Sequence, residues 1–256
     1  MVLTDGKTSI TLDEGDFRLE RVSYLAPKIK NTLAPLEGGK ESLFIGGKTG
    51  AREVKIEGYI SGNTEENRKA LLHLCDKSPI TLVDGEYSLE IVLDSAVSMS
   101  SEKRFRDKLL KYEITAIAPS PYWQGEKISK TFYGCSGTSK DENAIFISNV
   151  GELSVGCEIR VYLMTGCNSF TLTKDSKGFK YNSAVSTLDA VYIDTRVGKK
   201  SVTLQRNGSS ERVSAIDKVM PGSSFFTLAP GENRIDFAIP LGVAYISIDY
   251  TPLYLR

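Results

Sequence analysis

Residues 113–126 read EITAIAPSPYWQGE, and the sequence pattern of the chain changes at this stretch. Before it, apolar residues alternate from Leu110 to Ala116 with the period of a half-buried strand. Pro119 and Pro121 cannot donate to a β-ladder and disfavour a helical conformation in the residues before them. The strand is therefore predicted to end at the prolines.

The only tryptophan of the chain follows these prolines. A lone tryptophan can form the floor of a ligand site or pack at the joint between two domains. The end of the strand and the change of pattern beyond it favour the joint, with the indole N–H hydrogen-bonded nearby. We predict a domain junction formed by Pro119, Pro121, Tyr122 and Trp123. It divides the chain into domains 1–122 and 123–256.

The first domain has the pattern of an α+β fold. Residues 9–13 and 17–24 alternate as strands, and so does AREVKIEGYI, in which Gly58 predicts a bulge or a close backbone approach. SGNTEENRKALLHLCDK (61–77) predicts a helix capped by Asn63, with an apolar stripe of Leu71, Leu74 and Cys75 that covers a sheet. In ITLVDGEYSLEIVL, Asp84-Gly85 predicts a hairpin turn.

Residues 25–50 interrupt these strands. They contain two prolines and five glycines and show no regular period. So long an irregular stretch inside a domain is typical of a functional loop or a disordered one. A long loop or arm is therefore expected here.

The second domain consists of short strands separated by glycine, asparagine and serine, without a helix. The predicted strands include AIFISNVG, CEIRVYLMTG, AVYIDT, SVTLQRNG, SFFTLAPGENRIDF and AYISIDYTPLYL. Regular short strands of this kind predict a β-sandwich of the jelly-roll type. The expected fold class is mainly β.

Charge and composition exclude several functions. The 32 basic and 32 acidic residues balance, so no overall field favours nucleic acid or a membrane surface. MVLTDGKTSITL lacks the features of a secretory signal, so folding in a cytoplasm is expected. The four cysteines form no CxxC pair and are expected to be buried free thiols.

No catalytic, metal or cofactor site is predicted. His73 is the only histidine and lies in no recognisable motif, and the cysteines lack zinc-ligand spacing. The number of acidic residues does not by itself exclude a catalytic pair of carboxylates of the kind that glycosidases use, although most of the acidic residues lie in turns and charged strands. GGKTG (46–50) is an incomplete phosphate loop and is interpreted as a turn.

Two stretches of the second domain resemble the C-terminal signature of the distal tail proteins of long-tailed bacteriophages. They are SFFTLAPGENRIDF (224–237), which contains L-x-P-G-x-N-x-I, and AYISIDYTPLYLR, which contains Y-x-P-x-Y. EVKIEGYISGNTEENRKALLHLCD and EITAIAPSPYW resemble the N-terminal domain of the same family. The resemblance covers roughly residues 50–256.

The resemblance implies a structural virion protein at the tail tip, not an enzyme. It implies a hexameric ring of N-terminal domains, with galectin-like C-terminal sandwiches that project outward. Its partners would be the tail tube protein and the tail-associated hub, lysin or fibre protein. In some family members the outer domain carries receptor-binding proteins.

In such a ring the arm would contact a neighbouring subunit. The expected interface residues are Lys28, Ile29, Lys30, Leu33, Leu36, Leu43, Phe44 and Arg52. A mobile surface loop is the alternative for this segment. The alternative for the protein is a carbohydrate-binding β-sandwich module of an accessory or enzymatic protein.

Overall fold

A computed structural model of the chain divides into two compact units, Met1–Gln124 together with Arg256, and Gly125–Leu255. It describes residues 1–27, 29–35, 42–62, 64–101, 109–136 and 143–256, with the side chains of 30–48 left out. The described chain is mainly β, as the sequence predicted. No helix in these described ranges is long and apolar enough to cross a membrane.

The first unit contains eleven strands and one helix in its described residues. They are β1 Val2–Thr4, β2 Ser9–Thr11, β3 Phe17–Tyr24, β4 Ile29–Pro35, β5 Ser42–Thr49, β6 Arg52–Ser61, α1 Thr64–Cys75, β7 Ile80–Asp84, β8 Tyr87–Leu93, β9 Ser98–Ser101, β10 Leu109–Ala118 and β11 Trp123–Gln124. The main sheet has the order β2-β1-β7-β8-β10-β6-β3, and β9 and β11 pair with β10 and β8.

Several local predictions for this unit are confirmed. Strand β10 ends at Ala118, directly before Pro119. Helix α1 contacts β6 and buries Leu71, Leu74 and Cys75, the predicted stripe. Gly85 has a φ of 62° in the turn between β7 and β8, as expected for the Asp84-Gly85 signal. The predicted cap, Asn63, lies outside the described residues.

Both features that Gly58 predicts, a bulge and a close backbone approach, are present at this position of β6. The register of β3 against β6 shifts between Leu19 and Arg21, opposite Gly58, so the strand pair contains a bulge. A Cβ at Gly58 would lie 2.4 Å from the carbonyl oxygen of Arg18 and from the hydroxyl oxygen of Tyr112. Only glycine allows this close approach.

The expectation of an irregular segment is wrong for the described parts of 25–50, which contain two strands. Strands β4 and β5 form a separate antiparallel pair, which follows β3 and precedes β6 along the chain. Glycine and proline obscured the period because three of the residues of β4 and β5 are of these types. We call this strand pair, Ile29–Thr49, the arm.

The second unit contains the remaining strands and a short 3₁₀ helix at Ile216–Lys218. The strands are β12 Ile128–Cys135, β13 Ala144–Asn149, β14 Glu158–Leu163, β15 Phe170–Lys174, β16 Lys177–Tyr181, β17 Ala190–Asp194, β18 Ser201–Gln205, β19 Arg212–Ser214, β20 Gly231–Ala238, β21 Val243–Tyr250 and β22 Leu253–Tyr254.

Two antiparallel sheets of this unit enclose one core. The six-stranded sheet has the order β12-β21-β14-β17-β18-β19, and the four-stranded sheet has the order β13-β20-β15-β16. Residues of both sheets, such as Val161, Ile246, Phe170 and Phe237, belong to a single buried apolar cluster. The predicted β-sandwich is confirmed. The predicted strand at 224–237 is shorter than expected, because β20 begins only at Gly231.

Candidate functional site

The outer face of the six-stranded sheet is polar because its strands alternate. In β14, Ile159, Val161 and Leu163 are buried, so Glu158 and Arg160 point away from the core. The other strands of the sheet follow the same rule. One row of neighbours across the sheet contains Ser247, Arg160, Tyr192 and Thr203, and the next contains Ser129, Asp249, Glu158, Asp194 and Ser201.

A groove of about 410 Å³ opens on this face, and we call it the outer-face groove. Residues of both rows line it, together with Lys127 and Arg212. Its volume lies within the roughly 300–1,000 Å³ that is usual for small-molecule sites. Such sites are mostly apolar, whereas the side chains of this groove are mostly charged or hydroxylated, so its chemistry suits a polar ligand.

Three carboxylates at one end of the groove are held by cations. The guanidinium of Arg196 contacts Glu158 and lies 2.6 Å from Asp194 Oδ2. Asp249 accepts from Lys127 Nζ at 2.8 Å and from Ser129 Oγ at 2.7 Å. Burial alone would raise the pKa of Asp194 and Asp249, but these hydrogen bonds lower it below the usual value. Both groups are therefore ionised at neutral pH and act as acceptors.

Two arginines of the groove lie beside one tyrosine ring. The Cζ atom of Arg212 is 3.6 Å from the centroid of the Tyr192 ring, and that of Arg160 is 5.6 Å from it. The Tyr192 hydroxyl donates to Gln205 Oε1 at 2.8 Å, which holds the ring in place. Within the described chain, neither arginine has a carboxylate partner. This end of the groove presents positive charge.

The hydrogen bonds of Asp194 and Asp249 hold both carboxyl groups ionised, so these two residues can accept hydrogen bonds but cannot serve as general acids near neutral pH. His73 is exposed on α1, in the other unit. Across the described ranges, no group of three or more His, Cys, Asp and Glu residues could hold a metal.

None of the four cysteines forms a disulfide bond, as expected, and Cys75, Cys157 and Cys167 are buried, whereas Cys135 is half-buried. Burial raises the pKa of the Cys75 and Cys157 thiols to about 11, so both are protonated at neutral pH. The thiolate is the reactive form. These two cysteines are therefore packing residues.

The sequence-predicted arm residues fall partly within the described strands. Leu33 of β4 is the cross-strand partner of Phe44 of β5, and Leu43 is the partner of Ala34. Lys30 also lies in β4, opposite Lys48, and Ile29 is 68% exposed at the start of the strand. Lys28 and Leu36 lie outside the described residues.

Arg52 does not face solvent or a channel. It is 7% exposed, and its Nη1 donates to the backbone carbonyl of Arg256. Its Nε is buried without a hydrogen-bond partner in the described structure. Arg52 is a buried structural residue of the first unit, although the sequence placed it among polar interface groups.

The predicted junction residues differ in exposure. Pro119 is exposed, Tyr122 is half-buried, and Pro121 and Trp123 are buried. Trp123 is 1% exposed and packs edge-on against Tyr24, with ring centroids 5.3 Å apart. The Cζ atom of Arg256 lies 5.7 Å from its ring.

The expected hydrogen bond of the Trp123 indole is not formed. Its N–H is buried without a partner among the residues that the structure describes, and so is the Tyr24 hydroxyl. The ring is held by aromatic and cation–π packing, which the tryptophan's position in the sequence does not specify. Tyr24 and Arg256, which make these contacts, both belong to the first unit.

The L-x-P-G-x-N-x-I motif forms a turn around one buried asparagine. Asn233 is 3% exposed, and its Oδ1 accepts from the Ala229 amide at 2.8 Å. Its Nδ2 lies 2.8 Å from the Ala229 carbonyl and 2.9 Å from that of Gly231. Gly231 has a φ of 83°, a conformation that glycine adopts readily. The hydrogen bonds of Asn233 therefore give this motif a structural role in holding the turn.

The comparisons with known proteins agree with this geometry. Residues 150–254 match the family model described as "siphovirus-type tail component, C-terminal domain". This match lies in the C-terminal part of the chain. The comparison with curated protein sequences found no match.

Two solved structures share the fold of this chain. The crystal structure of the Dit protein of phage SPP1, described as a paradigm of the hub adsorption apparatus in phages that infect Gram-positive bacteria, aligns with a TM-score of 0.66 and 11% identity over 93% of both chains. A chain of the phage P2 baseplate in its Ca-activated conformation aligns with a TM-score of 0.53 and 8% identity, over 98% of this chain and 97% of that one. The predicted resemblance to distal tail proteins is confirmed.

The outer-face groove was not predicted from the sequence. Its arginines and Tyr192 lie on three different strands, β14, β17 and β19. Alternation within each strand does identify Arg160 and Tyr192 as outward-facing. Their placement in one groove depends on the strand order, which alternation does not specify.

Proposed function

We propose that this protein is the hexameric hub of a phage tail tip, made in the bacterial cytoplasm and incorporated into the virion. Its first unit forms the ring, and the sandwich projects outward as a galectin-like domain. In this role it joins the tail tube protein to the tail-associated hub, lysin or fibre protein, and carries a receptor-binding protein. The hub has no enzymatic activity.

The observation that carries this proposal is the combination of the family match over residues 150–254 with a shared fold over 93% of a protein described as a hub. The family match concerns the second unit alone. The fold match extends the argument to the first unit, which is the part that would form the ring.

The arm is the proposed contact between neighbouring subunits. A cyclic hexamer needs heterologous contacts, in which one surface binds a different surface of the next subunit. Strand β5 pairs with β4 on one side, and in the described residues no strand of the chain pairs with the arm on its outer edges. Such an edge can pair with another chain. Ile29, Lys30, Leu33, Leu43 and Phe44 belong to this surface, and we place Lys28 and Leu36 with them.

Pro119, Pro121, Tyr122 and Trp123 are proposed as the joint between the ring and the sandwich. The buried Trp123 ring would anchor the chain at the end of the first unit. This role is independent of the indole N–H, which has no partner in the described structure.

Native mass spectrometry of the full chain tests the hub directly. A particle of six 28.1-kDa chains is expected, and negative-stain images should show rings. The measurement is repeated with the tube protein added, because a partner can be needed to close a ring. A monomer under both conditions would contradict the proposal.

The carbohydrate-binding module is a second candidate, favoured by the polar outer-face groove. As the sole function of the chain, it predicts a monomer that binds saccharide. The same mass measurement separates it from the hub, since a module of this kind needs no ring.

A further inference from the structure

We propose that the outer-face groove of the second unit binds a saccharide that carries an acidic group, a carboxylate or a phosphate. The acid would lie on the guanidinium groups of Arg160 and Arg212, and the hydroxyls of the sugar would bind the carboxylates at the other end. This binding site is a function beyond the hub role, and it does not require the ring.

The charges of the groove are unevenly paired. Asp249, Glu158 and Asp194 each have Lys127 or Arg196 within 4.0 Å. The guanidinium groups of Arg160 and Arg212 have no carboxylate within this distance in the described part of the chain and lie beside the rings of Tyr162 and Tyr192. An anion would give both of them charge-assisted hydrogen bonds, which are the stronger kind.

Packing against Tyr192 restrains the side chain of Arg212 before a ligand binds. The Cζ atom of Arg212 lies 3.6 Å from the Tyr192 ring centroid, so the guanidinium lies over the ring. A guanidinium stacked on an aromatic ring can still donate hydrogen bonds in its own plane. Tyr192 is itself fixed by its bond to Gln205. A guanidinium held in this way loses less conformational entropy when it binds an acid.

The remaining groups of the groove suit hydroxyls. Asp249 and Asp194 are ionised acceptors, and Ser201, Thr203 and Ser247 add hydroxyl groups along the same face. Ionised carboxylates accept from hydroxyl donors, and serine and threonine both donate and accept. A ligand with several hydroxyls and one acid matches the two ends of the groove together.

A saccharide fits this surface better than a protein partner does. The core of a protein–protein interface is depleted of charged residues, whereas six charged side chains line this groove: Lys127, Glu158, Arg160, Asp194, Arg212 and Asp249. The volume of about 410 Å³ also suits a small ligand. Beyond the groove the face continues with the exposed rings of Tyr133 and Tyr245, whose centroids are 5.5 Å apart.

Isothermal titration calorimetry of the full chain tests the site with four probes: glucose, glucuronate, glucose 6-phosphate and inorganic phosphate. Glucuronate or glucose 6-phosphate should bind at least about tenfold more tightly than either glucose or phosphate, a difference of about 1.4 kcal/mol. The carboxylate and phosphate probes show which acid the groove prefers. Equal binding of inorganic phosphate would mean an adventitious anion only and would overturn the proposal.

Two variants locate the binding. Arg160→Met and Arg212→Met keep the aliphatic part of the side chain and remove the charge, and each should weaken binding of the acidic sugar about tenfold. Arg234→Met, on the four-stranded sheet, is the matched control and should leave the affinity unchanged. Equal affinities in all three variants would place the binding elsewhere and refute the site.

Saccharide binding and hexamer formation are measured independently, so either proposal can fail without the other. Wild-type protein that forms hexamers but binds neither acidic sugar, in either assembly state, contradicts this inference and leaves the ring intact. If the two arginine variants then fail to enter assembled tails, the groove is a protein-binding surface instead. Saccharide binding by a monomer would support the groove while the hub proposal fails.

Discussion

Asn233 holds a turn through contacts that only its side chain makes. It bonds the amide and carbonyl of Ala229 and the carbonyl of Gly231, so three backbone groups next to the core are satisfied by one amide group. Unsatisfied polar groups in a buried position cost free energy. The asparagine of the tail-component signature is thus explained by the fold and needs no ligand.

Asn233→Ala should lower the free energy of unfolding by roughly 2–4 kcal/mol, because several hydrogen bonds are lost and buried backbone groups remain unpaired. Urea denaturation of the full chain, followed by circular dichroism, measures the change. Asn207→Ala is the control, since that side chain is exposed and only its backbone amide is used, by Asp189. Equal stability of both variants would contradict this account of the turn.

Tyr24 carries a buried hydroxyl that has no hydrogen-bond partner in the described structure. Burial, aided by the negative charge of Asp84, raises the pKa of Tyr24 to about 12. In the unfolded chain the phenol ionises near pH 10, so the folded chain binds more protons between these values. The free energy of unfolding should therefore fall as the pH rises from about 10 to about 12.

Tyr24→Phe should remove part of this alkaline loss while keeping stability at neutral pH, because the lost hydroxyl satisfies no bond. Urea midpoints measured at neutral pH and above pH 10 test this. Tyr133→Phe, at an exposed site, is the matched control. A steep loss of stability in Tyr24→Phe at neutral pH would show that the hydroxyl has a partner.

At the scale of elements, the arm is an insertion between two strands that are already neighbours. β3 and β6 pair along their lengths, and the amide of Leu25 donates to the Glu53 carbonyl at 3.0 Å. The two ends of the arm therefore meet, so the arm can be removed without opening the main sheet. This gives the ring hypothesis a clean test.

Replacing residues 26–51 by a short Asn-Gly turn should leave a folded chain that no longer forms hexamers, because the proposed subunit contact is gone. Light scattering measures the assembly, and circular dichroism confirms the fold. A hexamer that survives the replacement would refute the role of the arm.

A double variant tests the same contact. Leu33→Asp combined with Phe44→Asp places charge on one cross-strand pair of the arm and should weaken assembly. Val197→Asp is the control, because Val197 is 89% exposed in a turn of the second unit. Assembly that responds equally to both changes would point to net charge and not to the arm.

At the scale of the whole molecule, each unit has its own buried residues. Ile56, Ile114 and Leu82 are fully buried in the first unit, and the sandwich of the second unit has one continuous apolar cluster. Domains with separate cores can unfold separately. We therefore expect two transitions in calorimetry of the chain.

Ile56→Ala should move one transition to lower temperature, because it lowers the free energy of unfolding by about 2–5 kcal/mol. Asn233→Ala should move the other transition to lower temperature. Differential scanning calorimetry of both variants and the wild type makes the assignment. A single transition that moves equally in both variants would show that the two units unfold as one.

Local features of this protein could be predicted from its sequence. The helix stripe of Leu71 and Leu74, the Asp84-Gly85 turn and the end of β10 all depend on residues close together in the chain. Periodicity, turn geometry and the missing N–H of proline act over a few residues. These features need no knowledge of the remaining chain.

The tertiary structure alone decided the pairings between distant residues. The sequence of the arm shows no strand period, yet β4 and β5 pair, since the hydrogen bonds of a ladder depend on a partner strand as much as on side-chain pattern. The burial of Arg52, the packing of Tyr24 on Trp123 and the placement of Arg160 and Arg212 beside Tyr192 follow from strand order and register. Which strands become neighbours is set by the burial of the whole core, which no short stretch of sequence contains.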